Sequence, residues 1–222
     1  MKITKTSVTI KITDHAAAQL EVQSAAPQPT EIPIEEVVQR IIKLNSGITR
    51  FWQETGSYAP IEAAKLLNKS RLDWQLSLSY CLKIWINIPP DESAEGRLIL
   101  AWTNLGSLVE GMMKLFLSVW HRTYLDDKNY IAMRTIKGEL QDADKLRFEQ
   151  IRQYFNKAIW DDGWDSWVSH IQHKRNAIHA YRDRDIGIHQ EFLEELRKYL
   201  TFLRYINARL PYLDDAHIPR EF

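Results

Sequence analysis

Between His170 and Arg182 the chain reads His-Ile-Gln-His-Lys-Arg-Asn-Ala-Ile-His-Ala-Tyr-Arg, placing cationic and titratable groups where an apolar helical stripe should continue. Upstream, Trp160, Trp164, Trp167, Val168 and Ile171 recur every three or four residues, the spacing of one inward helix face. Four residues beyond Ile171 is Arg175, four more is His179, and three beyond that is Arg182. On a continuing helix the inward face therefore turns from tryptophan to cation, with Ile178 alone keeping it apolar. Helix side chains four apart have Cβ atoms about 5–6 Å from each other, so Arg175 and His179 could both reach one phosphate. The arginine would offer a planar fork to the phosphate oxygens, and the histidine could move a proton.

Arg175, Asn176, His179 and Tyr181 resemble the motif of the HEPN family, small helical bundles that include many ribonucleases and their inactive relatives. In that family an Arg, often followed by a polar residue, is succeeded after four to six residues by a His, and one toxin branch adds a Tyr two residues further on. Here three residues separate Arg175 from His179, and the residue at the four-residue gap is Lys174, a point charge without the arginine fork. The likeness extends over the long helices from about Leu72 to Leu210.

The resemblance implies a mainly α fold, an HEPN-like helical bundle over residues 34–222; the residue pattern itself adds a short β-hairpin and a proline-rich linker at residues 1–33. It implies a metal-independent endoribonuclease of toxin-antitoxin or phage-defence type, with RNA as substrate and neither cofactor nor metal. His179 would act as acid and base, Arg175 would stabilise charge on the phosphate, and Asn176 and Tyr181 would complete the site. Relatives commonly bring two motif helices together across a twofold axis, so a homodimer is expected, with an antitoxin protein as a further candidate partner. The alternative is a catalytically inactive bundle that binds a protein or nucleotide partner, which the short Arg-to-His gap and the absence of net charge favour.

Each of these residues also has a structural reading. His179 near a helix end could gain about 0.3–1 kcal/mol from the carboxyl-end dipole when charged. Arg175 could pair with a buried carboxylate, and Tyr181 could be a core edge with a wet hydroxyl. Glu110 is a candidate partner for Arg175 but is expected to be an ordinary solvated glutamate. His170 and His173 lack an Asp, Glu or Cys at ligand spacing and are expected at the surface. The alternating charges of Arg182-Asp183-Arg184-Asp185 are expected in a solvated loop, and the tryptophans in the core before they serve as stacking platforms.

Composition narrows the remaining classes. The 222 residues are 45% hydrophobic and 26% charged, which suits one globular core. With 29 basic and 29 acidic residues the formal net charge is zero, so any nucleic-acid site must be local. Cys81 is the only cysteine, which precludes an intrachain disulfide or a thiolate zinc cluster and points to a reducing cytosol. No apolar run approaches the roughly 20 residues needed to span a bilayer, and the amino terminus lacks the apolar core of a signal peptide. The expectation is a cytoplasmic protein without membrane contact. No glycine-rich phosphate loop, dinucleotide fingerprint or nucleophile elbow occurs.

The elements that must position the motif follow from periodicity. Val8, Ile10 and Ile12 alternate with polar residues, and Leu20 and Val22 suggest a second strand; Ser24 to Pro33 reads as an extended linker. Ile34 to Ile42 is amphipathic and either runs on through Trp52 or breaks at Asn45 to Gly47. A helix opened by Pro60 continues, with a kink at Lys69-Ser70, towards the stop at Pro89-Pro90. Asp91 should cap a long helix carrying Leu98, Trp102, Leu105, Val109, Met112, Phe116 and Val119. Asp126 to Asp144 is expected as loops around a short turn. A helix through Leu146 to Ile159 ends at Asp161-Asp162-Gly163, where Asp162 could cap the motif helix, and the stripe from Phe192 to Leu210 ends at Pro211.

Overall fold

A computed structural model describes residues 26–54, 61–126, 139, 141–160 and 163–222. Among them the chain is mainly helical: α1 (Ile34–Glu54), α2 (Ile61–Lys69), α3 (Leu72–Cys81), α4 (Ala94–Val119), α5 (His121–Asp126), α6 (Phe148–Ala158), α7 (Trp164–Arg175) and α8 (His189–Ala208). Short 3-10 turns occur at Leu82–Trp85, Ala143–Lys145, Asn176–Ile178 and Asp215–His217. The expected amino-terminal hairpin, Pro60, Asp162 and most of the stretch after Asp126 lie outside the described residues.

α4 is the axis of the bundle and packs against α2, α3, α6, α7 and α8. Its predicted stripe is buried from Leu98 to Phe116, with Val119 partly so, and Ala101, Leu108, Met113, Leu115 and Leu117 are buried beyond that stripe. A helix that is apolar on nearly every side belongs inside a bundle. Two of its glycines admit close neighbours. A methyl group at Gly106 would lie 2.7 Å from Arg175 Cβ on α7, and one at Gly111 would lie 2.9 Å from Gln75 Cδ on α3. The Gln75 amide, tucked in at that point, donates to the Leu108 carbonyl at 2.8 Å. Trp102 meets Phe192 edge to face at 5.2 Å, so the α4 and α8 stripes share one core.

α1 runs unbroken through Asn45 to Gly47. The Asn45 side chain donates back to the Ile41 carbonyl, inside the helix, and Gly47 faces Pro219, where a methyl group would come within 2.7 Å of the ring. Ser70-Arg71 separates α2 from α3, where the kink was expected. Asp91 lies in the turn ahead of α4, accepting from the Ser93 N–H and from Arg97, while Ser93 takes the cap position. The described part of the expected linker is held against α8: Arg204 donates to the Pro27 carbonyl at 3.1 Å and Arg197 to the Ile32 carbonyl at 2.7 Å. Glu221, itself buried, receives both Arg204 and Arg40 at 2.8 Å. No helix among the described residues is long and apolar enough to cross a membrane.

Candidate functional site

The helix that carries the motif stops earlier than its periodicity predicts. α7 ends at Arg175, the next three residues tighten into a 3-10 turn that buries Ala177, and His179 leaves helical geometry at φ −88°, ψ 70°. Ile178, His179, Ala180, Tyr181 and Arg182 are all exposed, Tyr181 fully. The expected inward face of Arg175, His179 and Arg182 therefore does not form. Tertiary contacts override the local pattern, because the loop that follows must turn back to reach α7 and α4.

Arg175 and Asn176 line an open cleft of about 580 Å³ whose other walls include Glu110 of α4, Arg147 and Phe148 at the start of α6, and Gln172 of α7. Arg175 Nη1 lies 2.8 Å from Glu110 Oε2, and its guanidinium sits 5.5 Å from the centre of the Phe148 ring. Its stem lies on Gly106, so the rear of the side chain is fixed by backbone while its head reaches the cleft. Glu110 is not the solvated glutamate expected: its side chain is 14% exposed, and it also pairs with Lys114 at 3.0 Å. The second pairing leaves Glu110 compensated if Arg175 turns to another anion. Behind the cleft, Arg152 bridges Glu149 at 2.9 Å and Asp165 at 2.7 Å, tying α6 to α7. The Arg152 guanidinium holds the Glu149 carboxyl below its usual range.

Lys174, one residue away, has the opposite environment. Only 2% exposed, it places Nζ 3.2 Å from both Asp185 Oδ2 and Glu191 Oε1 and 5.8 Å from the centre of the Trp102 ring. Gly187, at φ +65°, passes so close that a methyl group there would meet Lys174 Nζ at 2.8 Å. The Gly187 N–H donates to Asp185 Oδ1 at 2.7 Å, and Trp102 Nε1 donates to the Ile186 carbonyl at 2.8 Å. The Gly187 N–H, and after it the lysine, keep the Asp185 carboxyl below its ordinary range. The expected solvated loop is thus pinned at Asp185 and Ile186. His170 also differs from expectation: half-buried, it faces Glu191 at 3.3 Å and Glu195 at 3.8 Å, while His173 is exposed and lies 3.4 Å from Arg184.

Of the four motif residues, the structure brings Arg175 and Asn176 to one cleft and puts His179 and Tyr181 on the adjoining surface. Glu110 and Phe148, which complete the Arg175 setting, are far away in sequence; only the i, i+4 pairing of Glu110 with Lys114 is visible there. Among the described residues no group of three His, Cys, Asp or Glu side chains is arranged to hold a metal ion. No family model, curated protein or solved structure matches the chain.

Proposed function

We propose that the chain is an HEPN-like bundle acting as a metal-independent endoribonuclease, with the cleft at the end of α7 receiving a backbone phosphate. The observation that carries this reading is Arg175: an arginine backed by Gly106 and Phe148, its head in an open polar cleft, held by a glutamate that has a second cation to keep. Such a group is positioned for a phosphate and can exchange one anion for another at small cost. His179 would take the proton from a ribose 2′-hydroxyl as that oxygen bonds to phosphorus. The bond to the 5′-oxygen would break and that oxygen be protonated, giving a cyclic phosphate and a 5′-hydroxyl. Since His179 and Tyr181 stand outside the cleft of their own chain, the reading includes a homodimer that covers them, and exposed Ile178 and Ile188 give that surface an apolar component.

A second reading, an inactive bundle that binds a protein or nucleotide partner, is favoured by the ion pair itself, because Arg175 is already satisfied by Glu110. Incubating the purified protein with mixed RNA in chelator decides between them. Cyclic-phosphate ends produced by wild type and lost in His179→Ala are expected. Intact RNA at high wild-type concentration would remove the ribonuclease reading and leave the partner-binding bundle.

A further inference from the structure

We infer that Lys174 is a positioning residue, whose ammonium, gripped between Asp185 and Glu191, holds the loop of residues 179–188 in one arrangement and so sets where His179 and Tyr181 stand. The chemical consequence rests on the ribonuclease reading above; the docking of the loop does not.

The loop has no regular secondary structure, and residues 179–183 are exposed. Its inward attachments are concentrated at its far end. Asp185 reaches Lys174, the Ile186 carbonyl accepts from Trp102, and Gly187 closes onto Asp185. Position 174 continues the inward stripe of Trp167 and Ile171, where an apolar side chain would satisfy the core. A lysine with a side chain only 3% exposed is a poor choice for stability alone, since replacing a buried ion pair by packed apolar groups is often neutral or favourable. What the charge adds is direction: the ammonium donates to a carboxylate of the loop at one place and orientation. Gly187 lies against both members of the Lys174–Glu191 pair: beside its positive φ, a Cβ there would run into the Glu191 carboxylate and come within 2.8 Å of Lys174 Nζ.

The other charged groups around the clamp support the assignment. Glu191 on α8 belongs to the bundle and also faces His170, and Glu195 accepts from Trp167 Nε1. Asp185, with a side chain 82% exposed, is therefore the arm that the loop itself contributes. Removing it should free the loop and leave the bundle folded.

Hydrogen exchange of peptides covering residues 179–188, measured with RNA cleavage on the same samples, tests this. In Asp185→Asn the loop should exchange at least about tenfold faster while α4 and α8 exchange as in wild type. Asp185→Glu, which keeps the anion, should return most of the protection, and Lys174→Met should free the loop as Asp185→Asn does. On the cleavage side, Asp185→Asn should lower kcat with little change in KM for RNA, because Arg175 and its cleft are untouched. Unchanged loop exchange in Asp185→Asn and Lys174→Met overturns the inference, as does a loss of protection spread through α4 and α8. Faster loop exchange with wild-type kcat overturns the positioning role. A wild type that cuts no RNA sinks the ribonuclease reading instead, and the exchange data then decide the docking by themselves.

Discussion

Lys174 and Arg175 are adjacent cations at the end of one helix, and they serve different purposes because about 100° of helix rotation separates them. Lys174 points towards α8 and the returning loop, loses nearly all contact with water, and is held by two carboxylates. Arg175 points towards α4 and α6, keeps 27% of its side chain exposed, and meets one carboxylate at the wall of an open cleft. The buried cation is suited to fixing a fold, since its own side chain is only 3% exposed and is closed off from any ligand by α8 and the returning loop. The cleft cation is suited to binding, since its counter-ion has another partner and its approach is open.

The largest way to test that contrast is truncation. Lys174→Ala deletes a buried stem beside Trp102 and leaves a cavity; truncating a buried side chain of that length to alanine costs about 2–5 kcal/mol. Because Asp185 is 82% and Glu191 34% exposed, their carboxylates return to water and add little, so about 3 kcal/mol is expected. In a chain of this size that lowers Tm by about 6–12 °C, readable by thermal denaturation. Gly106→Ala ranks next. Its methyl group would press on the Arg175 stem and force α4 and α7 apart or push the guanidinium out, at about 1–3 kcal/mol. Arg175→Ala should cost only about 1 kcal/mol, because Glu110 retains Lys114, while RNA cleavage falls towards background. A Tm loss for Arg175→Ala as large as that for Lys174→Ala would erase the distinction between the two cations.

How much of this could be read from residue order depends on the range of the interaction. The stripe from Leu98 to Phe116 and that from Phe192 to Leu210 were legible, because helix burial imposes a local period, and their common core appears as Trp102 against Phe192. The continuity of α1 was not, since Gly47 reads as a breaker until Pro219 is seen against it. The early end of α7 was hidden for a similar reason: no glycine or proline follows Arg175 before Gly187, and the signal is a contact eleven residues away between Lys174 and Asp185. Arg175 and Asn176, singled out by type and spacing, share one cleft, but the same spacing put His179 on their face only by assuming a helix that does not continue.

A smaller effect separates the two sides by pH. Asp185 has its carboxyl pKa lowered by the Gly187 N–H and by Lys174, so its contribution to loop docking is complete above the ordinary Asp value of about 3.9. It is lost as pH falls through the lowered folded value. Loop exchange, corrected for intrinsic rates, should therefore be flat from about pH 8 to pH 5 and rise only below about pH 4. Loop exchange that does not change between pH 5 and pH 3 would show that the Asp185 carboxylate does not hold the loop.

The smallest expected change in stability belongs to Tyr181. Its ring is fully exposed in the single chain, so Tyr181→Ala should alter unfolding of the dilute protein by less than about 0.5 kcal/mol. An aromatic ring that contributes nothing to the fold contributes to whatever covers it, and tyrosines buried at interface centres often account for about 2 kcal/mol or more. If a second copy covers Tyr181, together with Ile178 and Ile188, the change is present twice in the dimer, and sedimentation should show Tyr181→Ala dissociating at about a thousandfold lower dilution than wild type. RNA cleavage should then fall with dimer occupancy and recover at high protein concentration. An unchanged dimer with weakened RNA binding would put the ring under the nucleic acid. An unchanged dimer with unchanged RNA binding and cleavage would leave the open Arg175 cleft as the whole of the site.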